Sequence, residues 1–131
     1  MSAGAVLQAA VVADLLETDA LKMLTVFDAP PVRATMPYAI VEDPVLEQVD
    51  AAGVSGRVGV LAITFRDDGE RPLALRGTMA LAEDLVSGLS ADLPDGWRIG
   101  GLRLQRSKLT RAKDGWIGRS EWSVRMFRLA S

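Results

Sequence analysis

The 131-residue chain contains no cysteine and no histidine, and aromatic residues make up only 5% of it. Without cysteine there is no disulfide framework, no thiolate nucleophile and no Cys-based zinc site. Without histidine, Ser-His-Asp and Cys-His chemistry falls away, together with His-ligated metals and the usual near-neutral proton shuttle. Catalysis would have to run on carboxylates, lysine, arginine or tyrosine. So few aromatics supply a stacking platform for single-stranded nucleic acid poorly. Nothing approaches the ~18 uninterrupted apolar residues of a membrane span. The opening Met1-Ser2-Ala3-Gly4-Ala5-Val6-Leu7 lacks the basic n-region of a secretory signal. With neither cysteine nor signal, a cytoplasmic protein is the expectation.

What is present describes a globular domain. A hydrophobic fraction of 49% and a charged fraction of 24% are ordinary for one, and 131 residues suit a single domain over 1–131. The net charge of −2 conceals an asymmetry. Residues 98–131 carry nine basic side chains against only Asp114 and Glu121, whereas residues 1–97 carry six basic and fifteen acidic ones. A pI of about 5.1 argues against a conventional nucleic-acid domain. The asymmetry fits either solvated faces of one subunit, or acidic and basic surfaces that meet copies of the chain or DNA.

The Ala- and Leu-rich stretch 3–17 predicts a helix. Its apolar positions cover most of the circumference, with only Gln8, Asp14 and Glu17 clearly polar, so it calls for two neighbours. Val12 and Leu16 are therefore candidates for burial in an oligomer. Residues 24–27 predict a short strand closed by Asp28-Ala29-Pro30-Pro31, where the double proline enforces an extended connector. A second strand starts at Pro37. The acidic segment 42–56 predicts a long loop or a bent edge hairpin, and Arg57–Phe65, apolar on both faces, a central strand. After the turn at Asp67-Asp68-Gly69-Glu70 comes an amphipathic helix opened by Pro72. Its inner face runs from Ala74 to Leu89, with Arg76, Glu83, Asp84 and Ser87 opposite.

Two strands, about 98–111 and 116–129, close the chain. Their core-type residues Leu102, Leu104, Trp122, Val124 and Met126 all have even numbers. Opposite residues must therefore sum to an even number. An Asp-Gly two-residue turn violates this and would bury Arg103 and Gln105. A three-residue loop of Lys113, Asp114 and Gly115, with Gly115 left-handed, restores the parity. A β-bulge within the strands serves equally. The fold class is thus α+β, in the order α-β-β-β-α-β-β, with two helices on one face of a mostly antiparallel sheet.

No constellation carries chemistry. Asp67, Asp68 and Glu70 fail the EF-hand spacing. Glu42 and Asp43 are adjacent on an extended segment and point apart. Gly100-Gly101 precedes no helix, which excludes a dinucleotide fingerprint. Trp97 and Trp116 suit strand-end caps, and Trp122 suits the core. The expectation is no enzyme, no catalytic residue, no cofactor and no metal.

The stretch Val26-Phe27-Asp28-Ala29-Pro30-Pro31, followed by Met36-Pro37-Tyr38-Ala39-Ile40-Val41-Glu42, resembles the small phage tail-completion (tail-terminator) proteins. It is most similar to the branch found in gene transfer agents of alphaproteobacteria. The Ala-rich first helix, acidic loop, Gly56-Arg57-led strand, Ala/Leu helix and long final hairpin follow in the same order, over about 3–129. Phe27 stands where that family has tyrosine. The resemblance implies a virion structural protein forming a six-membered ring on the tail tube. That ring stops tube growth, docks the head–neck connector and lets double-stranded DNA through with weak, non-specific contact. Assembly would occur in the bacterial cytoplasm, and the final position would be the head-proximal end of the tail. Other expectations are a different neck or head-closure ring, or a small α+β ligand-binding or enzyme domain. The residues expected at subunit or tube interfaces are Val12, Leu16, Glu42, Glu47, Asp50, Arg106, Arg111 and Arg119.

Overall fold

A computed structural model describes residues 1–129. The first helix, α1 (Ala3–Leu16), starts where Ser2 Oγ accepts the backbone N–H of Ala5 at 3.1 Å. It buries Val6, Leu7, Val11 and Leu15 along one side. A 3₁₀ turn over Asp19–Leu21 drops Leu21 into the core and leads into strand β1 (Thr25–Phe27). The double-proline connector then returns the chain to β2 (Tyr38–Val41), which runs parallel to β1. The Met36–Pro37 peptide is cis.

The acidic segment forms the bent edge hairpin that was one of its two expected forms. A short strand β3 (Val45–Gln48) turns into β4 (Val54–Asp67), so the observed order has one strand more than α-β-β-β-α-β-β. The second helix, α2 (Leu73–Ser87), begins after Pro72, which occupies the cap. Two long strands, β5 (Arg98–Ala112) and β6 (Gly115–Leu129), complete the sheet. Its order is β1-β2-β4-β6-β5, with β3 joining β4 on the side that β2 occupies further along. All pairings except β1 with β2 are antiparallel.

Both helices cover one face. Ala39 and Val41 of β2, Leu61, Ile63 and Phe65 of β4, and Trp122, Val124 and Met126 of β6 are buried there. They meet Leu75, Met79, Ala82 and Val86 of α2 and the inner side of α1. Burial of each large side chain contributes about 1.5–3 kcal/mol. Gly118 lets α2 approach closely: a Cβ there would lie 2.3 Å from Met79 Sδ. Glu83 and Ser87 do not simply face solvent, as the helical wheel suggests. Ser120 Oγ, fully buried, donates to Glu83 Oε2 at 2.6 Å, and Trp122 Nε1 donates to Ser87 Oγ at 3.1 Å. Each bond offsets the cost of taking that polar group out of water.

The final hairpin resolves the parity problem through the bulge. Its turn is the two residues Lys113–Asp114, with Ala112 opposite Gly115 and Arg111 opposite Trp116. The register shifts between Leu104 and Arg106, which restores the pairs Leu104–Trp122 and Leu102–Val124. Arg103 and Gln105 stay exposed. Gly115 has φ +139°, as the three-residue loop also required of it. Leu104 departs from expectation: it is 40% exposed, because β5 is the outermost strand and has a neighbour on only one flank. Trp97 stands directly before β5, at the strand end as expected, and is buried there. It is 2% exposed, with the guanidinium carbons of Arg57 and Arg128 at 5.3 and 4.5 Å from its ring centroid.

Candidate functional site

The face of the sheet turned away from the helices carries the chemistry. Cross-strand partners share a face. Thr64 pairs with Arg119 and Arg119 with Lys108, Ala62 with Glu121 and Glu121 with Arg106, and Val60 with Ser123 and Ser123 with Arg103. This places four of the basic residues of the final hairpin on the open side. Beside them, β3 and β4 present Val45 (73% exposed), Glu47, Val58 and Val60 (41% exposed). The valines were not among the expected interface residues. Their signal was present in the sequence: β4 reads as apolar on both faces, and two helices on one face leave the other uncovered.

Glu42 and Arg119, expected separately at interfaces, lie together within the chain. Arg119 Nε donates to Glu42 Oε2 and Arg119 Nη2 to Oε1, each at 3.1 Å, while Thr64 Oγ1 donates to Oε2 at 2.6 Å. Arg119 Nη1 also reaches the Glu121 carboxylate. The Arg119 hydrogen bonds hold the Glu42 carboxyl below the usual carboxylate range, against the opposing pull of partial burial, with Thr64 adding to the effect. The same contact with Glu42 raises the Arg119 guanidinium. A depressed carboxylate stabilises the fold above its unfolded pKa, and the gain is lost as pH falls through the folded value. Glu42→Gln is therefore expected to cost about 1 kcal/mol near neutrality, the pair being partly screened by solvent. In urea titrations at several pH values, that difference should shrink as the pH falls below the ordinary carboxylate value of 4.5. A difference constant down to strong acid would show that Glu42 is unpaired in solution.

The other expected residues divide. Asp50 folds the β3–β4 hairpin, accepting from Gln48, from the Gly56 N–H at 3.0 Å and from Arg57 at 3.3 Å. These bonds lower its pKa, the Gln48 contact foremost. Arg111 lies 5.0 Å from the Trp116 ring centroid, in contact with its own cross-strand partner. Glu47 and Arg106 are exposed on the open face. Val12 is half-buried and Leu16 is 62% exposed. Together with Ala9 and Ala13 they line a shallow groove of about 380 Å³ on the outside of α1. Among the described residues, no three Asp or Glu side chains converge as a metal site. No helix there is long and apolar enough to cross a membrane.

The same architecture occurs in a solved chain from the virion of a native gene transfer agent particle. The two share 24% sequence identity with a TM-score of 0.78, over 99% of this chain and 100% of that one. That likeness establishes the fold. A comparison with curated proteins gives no match. The family model for tail completion protein gp17 matches residues 9–127, which include every strand of the sheet apart from the last residues of β6 and all of α2. The chain therefore belongs to the tail completion protein gp17 family, and is a structural protein of phage-type tails rather than an enzyme.

Proposed function

We propose that this protein is a tail terminator: a homo-oligomeric ring, six-membered by the family resemblance, that caps the tail tube at its head-proximal end. The observation that carries this reading is the tail-completion family match across 9–127. In this role the ring stops tube growth, docks the head–neck connector and lets double-stranded DNA pass. Subunits assemble in the bacterial cytoplasm and end in the particle. The polarised charge supports a ring, because head-to-tail contacts can bring unlike patches together and close by rotation. Exposed arginines at the hole must hold DNA only weakly, since tight binding would stall a moving genome.

Light scattering with negative-stain imaging tests this. The expected particle is a ring of roughly six times 14.0 kDa that sits at one end of tail tubes. A chain that stays monomeric alone and on tubes would refute it. Rings bound to the portal side of heads, and not to tubes, would instead mark a head-closure protein. Electrostatic subunit contacts also predict that ring dissociation increases with salt, since the Debye length shrinks from about 10 Å at 0.1 M to about 3 Å at 1 M.

A further inference from the structure

We infer that the free edge of β5 takes the β3 edge of a second copy, continuing one sheet into the next with Glu47 set against Arg103. This deepens the ring reading and rests on it. β5 ends the sheet, and beyond Ile99, whose N–H bonds to Ala91 O, its outer backbone edge from 101 to 112 has no strand partner among the described residues. A long unpaired edge is a template for another strand. The basic side chains on it, Arg103, Arg106 and Lys108, repel a second β5, so a symmetric pairing of like edges is disfavoured.

The opposite edge of the same sheet supplies the complement. Segment 42–50 holds four carboxylates and no basic residue. Of these, Glu42 and Asp50 are engaged within the chain, and Glu47 projects from β3 on the open face. Glu47 lies opposite Val58, Val58 opposite Arg125, and Arg125 opposite Gly101, two residues from Arg103. A second copy added edge to edge with no shift along the strands keeps the faces aligned, and its Glu47 then falls beside Gly101 and Arg103 of the first. One chain cannot make the contact itself. Three strand spacings, about 14 Å, separate its β3 from its β5. The pairing is heterologous, as a closing ring requires.

Two measurements test it on the full chain. In an Arg103→Lys variant, a zero-length carbodiimide should join the introduced amine to a carboxylate of segment 42–50 on another copy, read by mass spectrometry. Separately, Arg103→Glu or Glu47→Arg alone should weaken self-association about tenfold or more, and the two combined should restore most of it. Oligomers that give no such link, or a double variant no better than either single one, would overturn the edge contact and leave the ring reading standing. A chain monomeric alone and on tail tubes would overturn the ring reading itself. Circular dichroism of each variant separates lost association from lost folding.

Discussion

Gly115→Val is expected to destabilise the subunit by about 3 kcal/mol or more, lowering its melting temperature by roughly 10–15 °C. Two independent penalties combine. Gly115 has φ +139°, a backbone region that side-chain-bearing residues rarely adopt. A Cβ there would also lie 2.0 Å from Asp67 O and 2.7 Å from Asp68 Cα. Both are backbone atoms at the end of β4, so relief requires the hairpin to move away from the strand it pairs with. Because Cβ is the offending atom, Gly115→Ala should cost nearly as much as valine. Calorimetry of both variants decides the matter. Melting within about 2 °C of the parent for either would show that the turn adopts another conformation in solution.

Leu16→Glu is the counterpart for assembly. Leu16 is 62% exposed and lies on the outer side of α1, away from Val11 and Leu15, which anchor the helix. The subunit should lose little: a carboxylate near a helix C-terminus costs about 0.3–1 kcal/mol. In a ring that covers the groove along α1, an unpaired carboxylate is buried instead. That costs several kcal/mol, which corresponds to a loss of association on the order of a hundredfold or more. Val12→Glu should act in the same direction, with a greater folding penalty because Val12 is already half-buried. Light scattering beside thermal melting separates the effects. A Leu16→Glu variant that remains fully oligomeric, or that unfolds, would show that α1 needs no second neighbour.

These expectations differ in how far the sequence alone carries them. The first helix follows from its Ala- and Leu-rich composition, the second from helical periodicity, and the long central and final strands from alternation and turn residues, because such signals are local and extend over many residues. The short β3 was legible only as one of two forms, since four residues around a proline carry too little pattern to separate strand from loop. The hairpin shows the boundary most sharply. Even-numbered core residues demanded a parity correction, but a loop and a bulge satisfy parity equally. The sheet contains the bulge at Gln105, with the turn on Lys113 and Asp114.

The site divides along the same line. Composition alone established that histidine and cysteine chemistry is impossible and that the basic residues concentrate after residue 97. The apolar circumference of the first helix adds the expectation of a second neighbour, which Leu16→Glu tests. Partnership between residues distant in the chain was decided by the tertiary structure. Glu42 and Arg119 are 77 positions apart, and only the antiparallel register of β2, β4 and β6 brings them to 3.1 Å. Ser120 and Trp122 find their acceptors because α2 settles over Gly118, where a missing side chain admits the helix. The open valine face and the separation of Glu47 from Arg103 to opposite edges likewise depend on strand order. Sequence patterns record which residues must leave water; which surfaces then remain uncovered depends on how the elements pack.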